Sequence, residues 1–511
     1  MNFRWHTRAL LAIASGAALA LSFPNYNLWP LAWIAIALLA LASIAARPAA
    51  SPLYGFLHGL AFYPISVPWI DVVMRQYGNA GPWTAAGILA LLAIAGGIIC
   101  AAFSFCVAIV SRRRGAALAC ILAPFLWVAL EFARAHLPII AFPWNLTGYA
   151  ATPNLPLAQL TTITGVYGLS FLIAAWGSLL AFAILSGRQR AWQALVAFTG
   201  AIVLVAIGGR YFLPADGTPR HVAHLVQTDF AQSESYPVGW MAAHAGDLAQ
   251  LEQISVDAAR RNPGLIVWPE VPAPFSFQDP AFAGRAQRIA RDSGGHFLVG
   301  VVDWKRGERG AWDASNSAVL LGPSGERLFT YDKMHLVPFG EYVPLRNWLG
   351  FAGKLTADIG DFTPGNVYGI GKIPGGRFGV FICYEAVFPD EVRHFTARGA
   401  QLLINISNDG WFGRSAAPAQ HLRMARVRAV ENRRWLLRDT NNGFTVDVDP
   451  YGRIVARLAT DVRGELDAPY DFRSGETIYV RFGDWFAWLC VIASLAFLLA
   501  ALLGRRRSRP A

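Results

Sequence analysis

The sequence of 511 residues has few charged side chains, and they are unevenly placed. Only 15% of the residues are charged whereas 54% are hydrophobic, and the mean hydropathy is +0.36. This is too apolar for an ordinary soluble protein, so the shortage of charge predicts membrane-spanning segments. Residues 211–480 contain 28 of the 44 basic and 30 of the 33 acidic residues. The basic excess elsewhere lies beside hydrophobic runs, which favours orientation in a membrane over nucleic-acid binding.

Cysteine is also scarce. Of the five cysteines, Cys100, Cys106, Cys120 and Cys490 lie in hydrophobic runs, which leaves Cys383 alone in the polar region. A single thiol excludes a disulfide framework within that region, and the sequence has no zinc-type spacing. A phosphate-binding glycine loop, a histidine-rich cluster and an internal repeat are also missing. We therefore expect neither a metal nor a cofactor.

Hydrophobic stretches predict eight membrane spans, each compared with the ~20 apolar residues that cross a bilayer. They cover residues 8–23, 28–46, 53–73, 83–111, 115–133, 160–186, 192–209 and 484–503. Pro64, Pro68 and Asp71 interrupt the third span. The predicted organisation is a membrane domain at 1–210, a polar domain at 211–483 and a final span with a basic tail at 484–511.

Arginine residues predict the orientation of these spans. They precede the first span and follow the second, fourth, sixth and eighth, which is one side of the membrane if the spans alternate. That side is cytoplasmic by the positive-inside rule, so the polar domain is expected in the periplasm and both termini in the cytoplasm. An alternative for the first span is a signal peptide cleaved near Ala18 and Ala20, which leaves the polar domain on the same side. Asp71, Glu131 and Arg134 are interpreted as helix-end charges in the headgroup region.

From about residue 221 the sequence changes to short apolar runs that alternate with amphipathic stretches. Strands are predicted at 221–227, 265–268, 296–303, 378–383 and 402–407, and helices at 239–261, 280–293, 387–398 and 416–434. Hairpin turns are predicted at 322–325 and 449–452, where Gly, Pro and Asp cluster. Alternation of strands and helices with added hairpins predicts a layered α/β sandwich.

Three side chains of this region form a chemically useful set. Glu270 follows the strand 265–268, Cys383 ends its own strand, and Lys333 follows a hairpin strand. Strand ends gather catalytic groups in α/β folds. A thiol needs a base or a positive charge nearby to act as a nucleophile, and Glu270 and Lys333 supply one each. Lys333 and the backbone N–H after Cys383 could stabilise an oxyanion. Each residue alone is better explained by packing or surface charge, so the combination carries the prediction.

Longer segments around these residues resemble the carbon–nitrogen hydrolase (nitrilase) superfamily and, more narrowly, the bacterial apolipoprotein N-acyltransferases. The matching segments are WPE at 268–270, KMHLVPFGE at 333–341, CYE at 383–385, SNDGWFG at 407–413, QH at 420–421, MAR at 424–426 and TNNG at 440–443. The resemblance covers essentially the whole chain. It implies an α-β-β-α sandwich carried by a multi-span helical bundle in the bacterial inner membrane.

The resemblance implies an acyl transfer in two steps without a cofactor. Cys383 would take an acyl chain from a membrane phospholipid as a thioester, and the α-amine of the diacylglyceryl-cysteine of an apolipoprotein would accept it. Glu270 is implied as general base and Lys333 as oxyanion stabiliser. Glu341 corresponds to an additional carboxylate of the family, and Tyr384 and Glu385 match further positions that the family needs. The expected partners are these two substrates and the bilayer, with no nucleic acid and a monomeric chain.

One departure concerns aromatic residues. Where the family usually has a Trp shortly after a Gln-containing segment, this chain has Tyr236, with Trp240 close by. Tyr236, Trp240 and Trp348 are candidate lipid contacts. The stretch 345–361 is interpreted either as a mobile lid or as a simple packed loop.

Two other classes of function compete with acyl transfer. The first is a membrane-tethered amidase of the nitrilase type that acts on a small periplasmic substrate, with water as the final acceptor. Seven spans before the polar domain exceed what a tether needs, which disfavours this reading. The second is a binding or regulatory membrane protein, against which the intact Glu270, Lys333 and Cys383 speak.

Overall fold

The computed structural model describes residues 3–78, 80–137, 141–214, 218–233, 236–306, 312–338, 340–342 and 362–503. The chain divides into two compact units. A helical unit comprises Met1–Asp71, Gly81–Pro214 and Phe482–Ala511, and an α/β unit comprises Val72–Ala80 and Ala215–Arg481. The predicted stretch 345–361 and Trp348 lie outside the described residues.

The helical unit is built from the predicted hydrophobic stretches. Its helices are α1 (Trp5–Leu21), α2 (Leu31–Ser43), α3 (Ser51–Ser66), α4 (Trp69–Gln76, which continues into the α/β unit), α5 (Pro82–Arg114), α6 (Ala116–His136), α7 (Leu155–Ala158), α8 (Thr161–Thr164), α9 (Val166–Ser186), α10 (Gln189–Tyr211) and, after the α/β unit, α17 (Trp485–Leu503). Gly115, with φ of 99°, forms the tight turn between α5 and α6. A left-handed backbone of this kind suits glycine, which has no Cβ.

The predicted number of eight spans is approximate. Within the described residues, five helices are long and apolar enough to cross a membrane, namely α5, α6, α9, α10 and α17. Helices α3 and α4 count as a sixth span if they are taken together, although they are bent by 55°. The bend falls beside Pro68, where the sequence predicts an interruption, because proline disrupts helical hydrogen bonding. Helices α1 and α2 form where predicted, but they have only 17 and 13 residues.

Glu131 and Arg134 lie near the C-terminal end of α6, and their side chains are buried within the helical unit, at 6% and 7% exposure. The Glu131 carboxylate accepts a hydrogen bond from the backbone N–H of Thr147 at 2.7 Å, and Arg134 donates to the Tyr63 hydroxyl at 3.0 Å. Both residues line a cavity of about 40 Å³ together with His58. A cavity of this size has room for a few water molecules beside these side chains.

The α/β unit contains two six-stranded sheets in its described residues. The strands are β1 (His221–Gln227), β2 (Leu265–Val267), β3 (Phe297–Arg306), β4 (Trp312–Leu321), β5 (Arg327–Asp332), β6 (Ile370–Ile373), β7 (Gly376–Ile382), β8 (Leu402–Ser407), β9 (Leu436–Thr440), β10 (Val446–Val448), β11 (Ile454–Arg457) and β12 (Gly464–Tyr470). The first sheet has the order β12-β1-β2-β3-β4-β5 and the second β11-β10-β9-β8-β7-β6. The pairs β1–β2, β2–β3, β7–β8 and β8–β9 are parallel, and the others are antiparallel.

Helices cover the outer faces of the two sheets, so the layer order is the predicted α-β-β-α. The helices are α11 (Trp240–Ala243), α12 (Ala245–Arg261), α13 (Pro280–Ser293), α14 (Pro389–Ala397), α15 (Ala417–Asn432) and the short α16 (Ile478–Phe482). Helices α12 and α13 pack on the first sheet, and α14 and α15 on the second. Between the layers, Phe329 of β5 packs edge-on against Phe378 of β7, with ring centroids 5.5 Å apart. Packing of this kind holds the strand ends that carry the polar residues described below.

The predicted strands agree closely with those observed. Strands β1 and β8 have the predicted bounds, and the two predicted hairpin turns join β4 to β5 and β10 to β11. The edge strands β6 and β12 and the buried strand β9 were not predicted. Strand β9, with the sequence LLRDT, carries two charged residues inside the sheet and therefore lacks the apolar run of a buried strand.

The segment Val72–Ala80 belongs to the α/β unit. Its Tyr77 hydroxyl donates a hydrogen bond to the carbonyl of Gly410 at 2.9 Å, and its ring lies edge-on to Trp411 with centroids 5.2 Å apart. These contacts attach the segment to the turn that follows β8.

Candidate active site

Cys383 lies directly after strand β7, at the first residue of a short 3-10 helix, Cys383–Val387. Its side chain is 7% exposed, and its φ of 50° is in the left-handed region. A residue with a Cβ adopts this backbone only when its surroundings hold it there, and such strain is concentrated at functional sites. The thiol is therefore placed by a sharp turn at the end of β7, which pairs in parallel with β8.

Glu270 follows β2, and its position depends on a glycine of the neighbouring strand. A Cβ on Gly300 of β3 would lie 2.4 Å from the Pro269 carbonyl oxygen and 2.6 Å from Cα of Glu270. Only glycine permits this close approach. The Glu270 carboxylate is buried, and its Oε2 accepts a hydrogen bond from the backbone N–H of Asn408 at 2.8 Å.

Lys333 lies between two carboxylates. Its Nζ is 3.0 Å from Oε1 of Glu270 and 2.9 Å from Oε1 of Glu341. Burial alone would lower the pKa of Lys333, but the two carboxylates raise it well above its ordinary value. Lys333 is therefore charged, and the three groups carry a net charge of one negative unit. An ammonium has three hydrogens. Within the described part of the chain, the two carboxylates accept two of them, which leaves the third for another acceptor.

The proposed nucleophile lies in the field of these charges. Burial, together with the negative charge of Glu270, raises the pKa of the Cys383 thiol, and the nearby Lys333 only partly offsets this. The resting side chain is therefore the neutral thiol. Because the site is already negative, the thiol needs to transfer its proton to a base as it attacks.

Asn316 of β4 is a site residue that the sequence analysis missed. Its Nδ2 donates hydrogen bonds to Oε1 of Glu270 at 2.7 Å and to Oε1 of Glu341 at 2.8 Å, the two oxygens that also contact Lys333. Its backbone carbonyl accepts the N–H of Lys333 at 2.8 Å. Asn316 thus holds both carboxylates in place without adding charge. An asparagine between two serines of a strand gives no signal in the sequence.

Glu385 connects the turn of Cys383 with the segment of Lys333. Its carboxylate accepts the N–H of Ile382 at 2.6 Å, the N–H of Met334 at 2.7 Å and the Tyr331 hydroxyl at 2.7 Å. Burial, followed by the charge of Glu391, raises the pKa of Glu385 to about 7. Through these hydrogen bonds Glu385, one of the predicted site residues, connects the ends of β7 and β5.

The remaining predicted residues have different surroundings. The Tyr384 ring packs against Phe388, with centroids 5.2 Å apart, beside the proposed nucleophile. Trp240 is buried in the core under the first sheet, with its ring stacked on His244 at 4.1 Å. Tyr236 is half-buried and lies edge-on to Trp240 at 5.7 Å. Of the candidate lipid contacts Tyr236 and Trp240, only Tyr236 is partly exposed.

One group of side chains in the described residues has the composition of a metal site. Nδ1 of His224 lies 2.9 Å from Oε1 of Glu465 and 2.9 Å from Oδ1 of Asp467. The other ring nitrogen of His224 is 2.7 Å from the carbonyl of Asn262, and Arg261 is 3.0 Å from Glu465. The carboxylates raise the pKa of His224 against the effect of burial. An ion-pair cluster with its own cations explains these distances without a metal.

The α/β unit with its two sheets has the fold of a carbon–nitrogen hydrolase domain, and residues 227–476 match the family model of that description. Residues 15–179 match the model described as the apolipoprotein N-acyltransferase N-terminal domain. The apolipoprotein N-acyltransferase of Geobacter metallireducens is 40% identical over 98% of this chain and 96% of its own length. That of Azotobacter vinelandii is 36% identical over 99% and 98%. The chain belongs to the apolipoprotein N-acyltransferase family.

Membership in this family makes the chain an acyltransferase, and its apolar helices fit the bacterial inner membrane. Among solved structures, an amidase from Nesterenkonia sp. is similar, with 22% identity, a TM-score of 0.38, and coverage of 54% of this chain and 97% of its own. The recognition made from the sequence segments is confirmed by the family models and the relatives.

Proposed function

We propose that this protein transfers an acyl chain from a membrane phospholipid to the α-amine of the N-terminal diacylglyceryl-cysteine of apolipoproteins, through a thioester on Cys383. The observation that carries the proposal is the buried ammonium of Lys333, which lies between Glu270 and Glu341 and whose charge acts on the Cys383 thiol. This arrangement supplies a nucleophile, a base and a cation in one site, as acyl transfer requires.

In the first step, the Cys383 sulfur attacks the ester carbonyl carbon of the phospholipid while Glu270 accepts the thiol proton. The carbonyl oxygen becomes an oxyanion, which receives hydrogen bonds from the third hydrogen of the Lys333 ammonium and from the backbone N–H of Tyr384. The C–O ester bond then breaks, and Glu270 returns the proton to the departing oxygen. The products are a thioester and a lysophospholipid.

In the second step, the uncharged α-amine of the acceptor attacks the thioester carbonyl, and the same donors stabilise the oxyanion. Glu270 accepts a proton from the attacking nitrogen. The C–S bond breaks, and the proton passes to the Cys383 sulfur, which restores the thiol. Glu341 keeps Lys333 in position throughout, and its Oε2 is itself held by the backbone N–H of Val337 at 2.8 Å.

We propose the same orientation in the membrane that the arginine residues predict, with residues 211–483 in the periplasm and both termini in the cytoplasm. Single cysteines at the fully exposed Val238 and at the exposed Arg190, in a chain whose native cysteines are replaced, test it. A maleimide that cannot cross membranes should label Val238→Cys in intact spheroplasts and Arg190→Cys only after lysis. The opposite pattern would contradict the orientation.

The acyl enzyme is the most direct test of the mechanism. The full-length protein in detergent is incubated with a phospholipid that carries a labelled acyl chain, and the Cys383 peptide is analysed by mass spectrometry. A hydroxylamine-labile acyl adduct is expected on the wild type and on Cys120→Ala, a matched variant of a buried cysteine in α6, and is expected to be lost in Cys383→Ala. An absent adduct together with ammonia release from small amides would favour the amidase.

The acceptor is tested by adding a diacylglyceryl peptide to the labelled enzyme. A free α-amine should move the label from Cys383 into a hydroxylamine-resistant amide, whereas an N-acetylated peptide should leave it on the protein. Release of free fatty acid at the same rate with either peptide would show that water is the acceptor and would refute the transfer.

A further inference from the structure

A fully buried polar cluster lies next to the backbone of Cys383 and takes no part in the steps proposed above. It consists of Asp409, His421 and Arg438. Nε2 of His421 is 3.0 Å from the backbone carbonyl oxygen of Cys383. Nδ1 of His421 is 3.1 Å from Nη2 of Arg438 and 3.1 Å from Oδ1 of Asp409, and that Nη2 is 2.8 Å from Oδ2 of Asp409. The three side chains come from α15, from β9 and from the turn after β8, and they converge on one peptide group.

The hydrogen-bond roles within this cluster follow from chemistry. A carbonyl oxygen only accepts, so Nε2 of His421 carries the hydrogen that it donates to Cys383. Burial and the positive charge of Arg438 lower the pKa of His421, so the ring is neutral and its Nδ1 accepts from Arg438. Burial alone would raise the pKa of Asp409, but the positive charge of Arg438 holds it well below its usual range. Asp409 therefore balances the charge of Arg438, and Arg438 fixes the tautomer of His421.

The direction of one carbonyl determines the direction of the next N–H. The peptide bond between Cys383 and Tyr384 is trans, since the cis bond found in the described residues lies elsewhere, at Pro24–Asn25. In a planar trans peptide the C=O and N–H bonds point in opposite directions. A hydrogen bond from His421 that holds the Cys383 carbonyl on the side of α15 thus turns the Tyr384 N–H to the opposite side. The φ of 50° at Cys383 makes this restraint necessary, because the chain would otherwise relax from a strained conformation.

We propose that His421, held by Arg438 and Asp409, is a positioning residue that orients the Cys383–Tyr384 peptide so that the Tyr384 N–H donates to the oxyanion. The proposal rests on Cys383 as the nucleophile of the proposed function. It is independent of which lipid or amine the protein uses, since every acyl transfer passes through an oxyanion.

Two reactions of the same thiol separate this role from a general effect on Cys383. Acylation by 4-nitrophenyl butyrate passes through a tetrahedral oxyanion, whereas alkylation by iodoacetamide is a displacement at carbon that develops none. Both rates are measured on the full-length protein in detergent, by mass spectrometry of the Cys383 peptide. Loss of one oxyanion donor costs on the order of 100-fold or more in rate.

The variants differ in whether they keep a donor at the position of Nε2. His421→Leu and His421→Asn remove it, and we expect acylation to fall about 100-fold while alkylation changes less than about threefold. His421→Gln places its amide nitrogen near the original Nε2, so its acylation should be at least about tenfold faster than that of the Leu and Asn variants. His394→Leu, in the half-buried surface of α14, is the matched control and should change neither rate.

Each other outcome overturns the proposal. Equal losses in both reactions would mean that His421 acts on the thiol or on folding, and unchanged acylation in the Leu and Asn variants would mean that it does not orient the peptide. Failure of His421→Gln to recover would exclude the hydrogen bond as the cause. A failed proposed function looks different: the wild type would acylate Cys383 with the nitrophenyl ester but would pass no acyl group from phospholipid to a lipoprotein amine.

Discussion

Replacing Glu385 with glutamine tests the coupling between a buried carboxyl and the geometry of the site. In Glu385→Gln one carboxylate oxygen becomes an NH₂ group. If the remaining oxygen keeps the bonds from Met334 and Tyr331, the new NH₂ faces the N–H of Ile382, where a 2.6 Å hydrogen bond is lost. The buried N–H of Ile382 is then left without its acceptor, which costs about 1–3 kcal/mol. Acyl transfer should fall about 100-fold, because Cys383 and Lys333 are no longer held in register.

The pH dependence of stability gives a second, sharper expectation. Burial and Glu391 raise the pKa of Glu385 from 4.5 to about 7 on folding. The folded state therefore keeps its proton while the unfolded state loses it, and the stability of the wild type decreases as the pH rises from about 4.5 to 7. The cost amounts to about 2–3 kcal/mol between pH 5 and pH 8, at about 1.4 kcal/mol for each pKa unit.

Glutamine does not titrate, so the variant is free of this cost. The difference in thermal unfolding midpoint between wild type and Glu385→Gln should therefore be large at pH 5 and smaller at pH 8, measured by tryptophan fluorescence in the same detergent. Glu326→Gln, in the exposed turn between β4 and β5, is the matched control. Its activity and its unfolding midpoint should match those of the wild type at both pH values. If the stability that Glu385→Gln loses relative to the wild type grows with pH, the reasoning is refuted. That result would show that the folded protein stabilises the charged form of Glu385 over the neutral form.

Three further substitutions test separate parts of the α/β unit. Asn316→Leu removes the two hydrogen bonds that align Glu270 and Glu341, and the rate of Cys383 acylation should fall about 100-fold; a rate within threefold of wild type would contradict this. Gly300→Ala inserts a Cβ 2.6 Å from Cα of Glu270 and should reduce acylation while iodoacetamide still reaches the thiol; an unchanged acylation rate would show that the backbone can move away without effect. Burial and Asp449 raise the pKa of Asp447, so wild-type stability falls with rising pH. Asp447→Asn should therefore raise the unfolding midpoint more at pH 8 than at pH 5, and a smaller gain at pH 8 would refute it.

The elements whose sequence pattern follows from burial could be predicted. Strands β1 and β8 and helix α13 are apolar on the faces that they bury, and their observed bounds match the predicted ones. The candidate site residues Glu270 and Cys383 were predicted because they follow apolar strands, and Lys333 because it follows a hairpin. Periodicity of apolar residues is the signal in each case.

The parts that were missed are those where polar residues are buried. Strand β9 interrupts its apolar run with Arg438 and Asp439, and Asn316 lies among small polar residues of β4. Sequence rules place such residues at a surface, whereas the fold satisfies them through partners that are distant in the chain, such as Asp409 for Arg438. Functional sites are expected to break local rules in this way, since they keep polar groups inside at a cost to the core.

The predicted number of spans is approximate for a related reason. Hydropathy alone does not distinguish a helix that crosses a membrane from a shorter apolar helix. Helix α2 is apolar throughout but has only 13 residues, and most of them are buried within the helical unit. Similarly, the burial of Glu131 and Arg134 depends on neighbours such as Tyr63 that no local pattern reveals.

The raised pKa of Cys383 has a consequence for chemical damage and for inhibitors. Peroxides and simple alkylating reagents react with the thiolate, so a buried neutral thiol is oxidised slowly. The enzyme would thus be protected between turnovers without a disulfide partner or a reducing system. Effective covalent inhibitors of this protein would be acylating compounds whose carbonyl oxygen contacts Lys333 and whose reaction lets Glu270 remove the proton, rather than general thiol reagents.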